Sequence, residues 1–520
     1  MEMTRASAEG MAKAALGRLG TVYRLPGGHG HVASQNGMRF MISRIGILVG
    51  LGLLGAASPA AAQSLDQALA AAYANNPQLQ AERANLRATD EGVPQALSGW
   101  RPQVTVSGTA GYTQGTISEP SANLLGQSVE ATTNQDHQVG TLDAEVTENI
   151  YSGGQTKAQT AEATDKVKSE RANLINIEQQ VFTNAVSAYV TVIENQQLLA
   201  LAVNNAQVLK EQLKATEDRF SVGEITRTDV AQSESSLAQA EAEVQTAQGN
   251  LQTARATFED VIGFPAGKLS PPQPLALPVS SRRAAAAAAS ANNPAVIQAQ
   301  FNQAAASDAV DLAWSKLMPT LALQGEVYDQ VNSVESGYIS KGAEVLASLS
   351  WPLYQGGAEY AAIRQAVQQR EYARQQLDQA RRTAVENAEQ YWETLVATRA
   401  TITSTRAEIA ANEIALDGTE REALVGSRTT LDVLNAQQLL LQSQVTLVQN
   451  LANLVTDSYQ VAGAIGRFTA RDIGLRVPLY DDNSYYNAVK NAWVGTGDPT
   501  ANSVGDENGS PADNLGNDNH

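Results

Sequence analysis

The side chains able to do chemistry in this 520-residue chain are few in kind. With no cysteine, it can carry no disulfide, thiolate metal site, thiol nucleophile or lipid-modified cysteine anchor. Of its four histidines, His29 and His31 precede a targeting segment, His520 is the last residue and His137 stands alone. That excludes a histidine-based metal centre or triad, so no catalytic residue, no metal and no cofactor is expected and the chain does not read as an enzyme. The remaining candidates are carboxylates, most of them spread along helical stretches as solvated faces. Two groups differ. Thr226 with Asp229, and Thr429 with Asp432, fit a Thr-x-x-Asp helix start, where the hydroxyl accepts orphan amide protons and the carboxylate meets the positive end of the dipole. Asp143, Glu145 and Glu326 fall on the polar side of alternating stretches. A net charge of −18 argues against nucleic acid as a partner, because phosphates require a basic surface.

The elements that place these residues are written twice. Tyr151-Ser-Gly153-Gly154 recurs as Tyr354-Gln-Gly356-Gly357, an offset of 203 residues. The same offset relates Phe220-Ser-Val222-Gly223 to Ala423-Leu-Val425-Gly426, Asp229 to Asp432, and Ile262-Gly263 to Ile465-Gly466. Earlier the offset is 217, from Asn75-Asn76-Pro77 to Asn292-Asn293-Pro294. The difference is placed in the polar stretch Ser118–Gln135, read as a longer loop in the first copy. The repeats are therefore 63–275 and 276–478, joined at the Pro-rich segment 270–278. An Asp-, Asn- and Gly-rich tail, 479–520, is expected to be disordered.

Each repeat has one grammar. A short helix interrupted at Asn-Pro leads into a hairpin with period-two alternation, about 103–150 and about 320–353. Val104, Val106 and Tyr112 share one face with Leu142 and Val146 of the returning strand; Leu321, Leu323 and Val327 with Val345 and Leu349 repeat the arrangement. Taken alone, this pattern fits a half-buried soluble hairpin as well as transmembrane strands. Long helices follow, about 155–219 and 358–422, each answered by a shorter one so that the helical pairs span about 155–262 and 358–465. The shorter helices carry heptad seams, Val230, Leu237, Val244, Leu251 and Phe258, then Val433, Leu440, Leu447, Leu454 and Val461. The paired glycines mark the seam from strand to helix, where the turning chain needs glycine's backbone freedom.

Residues 1–62 read as an upstream extension followed by a signal peptide, with a basic start at Arg39 and Arg44, an apolar run and a small-residue end at Ala60-Ala61-Ala62. No later run has the roughly 18 apolar residues of a membrane helix. An exported chain with amphipathic strands and no apolar helix points to the outer membrane and contact with its lipid. Four strands cannot close a barrel, and an open edge is not tolerated in lipid. Three chains would supply twelve strands and a water-filled lumen.

Over residues 64–468 the sequence resembles the TolC-like outer membrane efflux proteins. The duplicated Tyr-x-Gly-Gly seams, the turns "FSVGEITRTDV" and "ALVGSRTTLDVLNAQ", and the Asn-Pro marks carry that resemblance. It implies a mainly α fold with a transmembrane β-barrel, assembled as a homotrimer with a twelve-stranded barrel and a twelve-helix periplasmic tunnel. The implied function is an exit duct for efflux of small molecules or type I protein secretion. Its implied partners are a periplasmic adaptor protein and, through it, an inner-membrane efflux or ABC transporter. At the inner tips, the resemblance implies a ring of Asp432, weakened where Asn435 stands for a second aspartate, and a latch from Arg428 to Asp229 near Thr228. It further implies adaptor docking at Val222-Gly223-Glu224 and Val425-Gly426-Ser427. The competing reading is a periplasmic coiled-coil adaptor or structural protein without a pore, which leaves the amphipathic strands unexplained.

Overall fold

Period-two alternation builds one antiparallel sheet in the order β1-β2-β3-β4. The strands are β1 (Gln103–Ala122), β2 (Ser128–Tyr151), β3 (Thr320–Val331) and β4 (Ile339–Ser350). The computed structural model of the chain describes residues 63–122 and 126–497. The expected upstream extension and signal peptide lie outside the described residues.

Helical periodicity accounts for most of the rest. Helices α1 (Leu65–Asn75), α2 (Pro77–Asp90) and α3 (Gly92–Leu97) precede the first hairpin, and α4 (Gln155–Ser221) and α5 (Arg227–Ile262) follow it. The second copy supplies α6 (Arg282–Asn292) and α7 (Pro294–Ser315) before its hairpin, then α8 (Ala358–Leu424) and α9 (Thr430–Ala464). At 67 residues each, α4 and α8 are about 100 Å long. Among the described residues no helix is long and apolar enough to cross a membrane.

The Asn-Pro breaks do more than interrupt. Asn76 Oδ1 accepts the amides of Gln78 and Leu79 to start α2, while its Nδ2 donates to Val261 O at the end of α5. Asn293 repeats both roles, accepting from Ala295 N and donating to Ala464 O at the end of α9. One side chain thus starts one helix and satisfies an orphan carbonyl of another.

The main core lies where α1, α2, α4, α5 and α9 converge with the segment after α9. Phe182 is fully buried, with ring centroids of Tyr73 at 6.1 Å and Phe468 at 5.5 Å. Tyr189 Oη lies 2.7 Å from both Gln63 O and Ser270 O and shares its one proton between them, fixing the start of the first repeat against its end. Smaller clusters hold α6 and α7 on α8, and α9 on the α4–α5 pair through Leu434, Leu209 and Ala240.

Two expectations change. Ser118–Gln135 is not mainly loop: β1 runs to Ala122 and β2 starts at Ser128, so the first hairpin continues for twelve rungs beyond the last β2–β3 pair, Gly140↔Val331. Its threonines, Ile117 and Val129 suit paired strands, and the β3–β4 turn braces its base through Asn332, which donates to Gln138 O at 2.8 Å. The tail is also not wholly disordered. Residues 479–493 form a strap containing α10 (Ser484–Val489), held by the aromatic side chains Tyr480, Tyr485, Tyr486 and Trp493. Those aromatics supply the apolar surface that the acidic composition hides.

Candidate functional site

At the first hairpin tip α4 ends on Gly223, whose φ of 83° lets Glu224 N reach back to Arg219 O at 3.0 Å. At the second, α8 ends on Gly426, φ 81°, with Ser427 N bonded to Glu422 O at 3.0 Å. Left-handed backbone of this kind closes a helix C-terminus and favours glycine. The next helices start with reciprocal caps. Thr226 Oγ1 accepts Asp229 N, and Asp229 Oδ2 accepts Thr226 N at 2.9 Å; Thr429 and Asp432 repeat this, also at 2.9 Å. Hydrogen bonds from the Thr226 side chain and backbone hold Asp229 below the usual carboxylate range, and those from Thr429 do the same for Asp432. Both carboxyls are therefore fixed negative charges at neutral pH.

Arg428 does not meet Asp229 within the chain. Its Nε donates to Glu422 Oε2 at 2.9 Å, and this contact raises the guanidinium above its ordinary value. In the first copy the pairing is Arg219 with Glu224 at 3.2 Å. Thr228 and Asn435 are exposed beside their caps. Val222 is 71% exposed and Val425 81%, next to exposed Leu424. Gly223, Glu224, Gly426 and Ser427 are exposed with them, so both tips present apolar side chains to solvent.

The sheet has two chemically opposite faces. Along one row, Val104, Val146, Gly325 and Val345 are successive cross-strand partners. Along the adjacent row, on the other face, Thr105, Glu145, Glu326 and Glu344 are partners. Val104, Val106, Tyr112, Val327, Val345 and Leu349 are all exposed. A band of that size facing water would forgo about 1.5–3 kcal/mol per large side chain, so it requires an apolar environment. Glu344 escapes the sequence reading because only strand register places it beside Glu326.

At the seams, consecutive glycines adopt left-handed backbone, φ 64° and 88° at Gly153 and Gly154, and 68° and 86° at Gly356 and Gly357. Tyr151 and Tyr354 are exposed just before them, at the end of the apolar band.

The family model described as outer membrane efflux protein matches residues 68–263 and 286–467. The chain belongs to the outer membrane efflux protein family. Outer membrane efflux protein BepC of Brucella suis is 34% identical over 442 residues, 85% of this chain and 93% of that one. Outer membrane protein TolC of Escherichia coli is 25% identical, covering 82% and 87%. Among solved structures, the outer membrane protein VceC of Vibrio cholerae superposes with a TM-score of 0.67 at 19% identity, over 77% of this chain and 96% of that one. This outer membrane efflux protein thus shares the channel fold, resides in the outer membrane and serves as an exit duct. The adaptor-only alternative is set aside.

Proposed function

We propose that three copies of the chain join their sheets edge to edge into one twelve-stranded barrel, continued by their helical hairpins as a periplasmic tube. The observation that carries this is the sheet itself, apolar on one face, acidic on the other, with the outer edges of β1 and β4 unpaired among the described residues. In lipid both edges need partners, and four strands cannot supply them to themselves. Native mass spectrometry in mild detergent should find a trimer, and reconstituted bilayers should show ion conductance once the tips are opened. A monomer, or no conductance with any tip variant, overturns the reading.

The tips are the gate in this reading. Asp432 from three copies would form an anionic constriction favouring cations, softened by Asn435. Arg428 would exchange Glu422 for Asp229 of a neighbouring copy, beside Thr228, to latch the closed state. The exposed Val222 and Val425, with Gly223, Glu224, Gly426 and Ser427, would receive a periplasmic adaptor that links the duct to an inner-membrane efflux or ABC transporter. A photoreactive residue at position 222 or 425 should cross-link to that adaptor in an assembled pump; no adduct there removes the assignment.

A further inference from the structure

Asp90, the last residue of α2, is a buried carboxylate that the duct does not use. It is 1% exposed, and neither of its carboxylate oxygens has a hydrogen-bond partner. Its roof is the C-terminal strap. Tyr480 N donates to Tyr73 Oη at 2.9 Å, and Arg83 lies between the Tyr73 and Tyr480 rings, 4.5 and 5.2 Å from their centroids. Tyr485 Oη donates to Glu91 Oε1 at 2.8 Å. Arg101 Nη1 donates to Ala492 O at 2.6 Å, and its guanidinium lies over the Trp493 ring. Arg101 is two residues before β1, so the strap ties the helical shoulder to the root of the first strand.

The charged groups around Asp90 come from every element packed on it. Arg171 of α4 opposes it, with no hydrogen bond at Nε or Nη2 and with Nε in a long ion pair, 4.0 Å from Asp482. Asp482 and Tyr480 face it from the strap, and Glu91 adjoins it on its own side, with Arg87 and Arg83 nearby. Tyr486 of α10 covers the Arg171 guanidinium at 5.1 Å. An ionised carboxylate without hydrogen bonds is costly to bury, whereas the protonated form is tolerated.

We propose that Asp90 makes the seating of the C-terminal strap pH-dependent, docked while this carboxyl is protonated and loosened as it ionises. Burial first pushes Asp90 up to about 6, with Asp482 and Glu91 adding to the effect and Arg171 opposing it. With the strap lifted, water reaches the carboxyl and its affinity for the proton returns toward that of an ordinary aspartate, about 4. Docking is thus fully favoured below about pH 4 and loses strength as pH rises through about 6. Between pH 5 and 7.5 the docking constant should fall roughly tenfold. Release would free Arg101, and with it the root of β1, from the shoulder.

Hydrogen exchange of residues 480–493 in the full-length detergent-solubilised protein tests this, after correction for intrinsic exchange. The expected result is roughly tenfold faster exchange at pH 7.5 than at pH 5, abolished by Asp90→Asn with protection kept at both values. Equal corrected exchange at both pH values overturns the proposal, as does an unchanged pH dependence in Asp90→Asn. If that variant fails to assemble, Asp482→Asn decides, because removing a like charge should move the transition to lower pH. An unmoved midpoint counts against Asp90.

Discussion

Glu422 Oε2 accepts a hydrogen bond from Arg428 Nε at 2.9 Å, across the turn that ends α8. Both side chains are exposed, and such pairs are weak and easily exchanged. Arg428 is therefore available to a carboxylate on a neighbouring copy. Arg428→Ser, or Asp229→Ala, should raise resting conductance in a planar bilayer severalfold, while Glu422→Gln, which frees Arg428, should lower it. Unchanged conductance in all three would remove the latch.

The seams are duplicated in sequence but not in surroundings. A Cβ on Gly153 would stand 2.6 Å from Met318 Cβ and 2.8 Å from Ser315 O, while one on Gly356 meets nothing within 4 Å. Gly356→Ala should cost only the left-handed backbone term, about 1–2 kcal/mol. Gly153→Ala adds a clash with backbone and should lower the dissociation temperature of the assembled protein by clearly more. Equal shifts on heated detergent gels would contradict this.

Glu145, Glu326 and Glu344 form one row across three strands, with Asp143 in the next polar row. Such a row, repeated around a lumen, concentrates cations and repels anions. Glu326→Gln should reduce cation preference in a salt-gradient reversal potential, and replacing all three glutamates by glutamine should reduce it further, leaving the part set by Asp143 and by Asp432 at the tips. An unaltered potential would mean that this face does not line the conduit.

Glu170 on α4 and Glu82 on α2 are hydrogen-bonded to each other, and Asn85 and Asn173 each donate to both. Burial, then the bond to Glu82, pushes Glu170 up to about 7, while that bond holds Glu82 below its ordinary value. Folded Glu170 keeps its proton longer than the unfolded chain does, so its contribution is complete below about pH 4 and lost as pH rises through about 7. Exchange protection of residues 77–89 should decline between pH 5.5 and 8, and Glu170→Gln should flatten that decline. A wild-type protein with no decline would show that the pair does not share a proton.

Several features were legible because they are local. Thr226 with Asp229 and Thr429 with Asp432 announce caps within four residues, and the structure forms both. Asn76-Pro77 and Asn293-Pro294 announce helix breaks, although nothing in the dipeptide reveals the bonds to Val261 and Ala464. Ser118–Gln135 read as loop because polar composition masked its β-branched pairing. Residues 479–493 read as disorder because four aromatics are diluted among acids and amides.

The amino-acid order by itself determined the duplication, the alternation that makes strands two-faced, the heptad seams of the shorter helices and the glycine turns. Each of these is an interaction between residues one to seven apart, or a period repeated along the chain. Tertiary structure alone decided that Glu344 stands beside Glu326, that Arg428 meets Glu422 rather than Asp229 within one chain, and that Asp90 lies sealed beneath a strap some 390 residues later in the chain. Those placements depend on strand register and on packing between distant segments, whose energies are fixed only once the whole chain has folded.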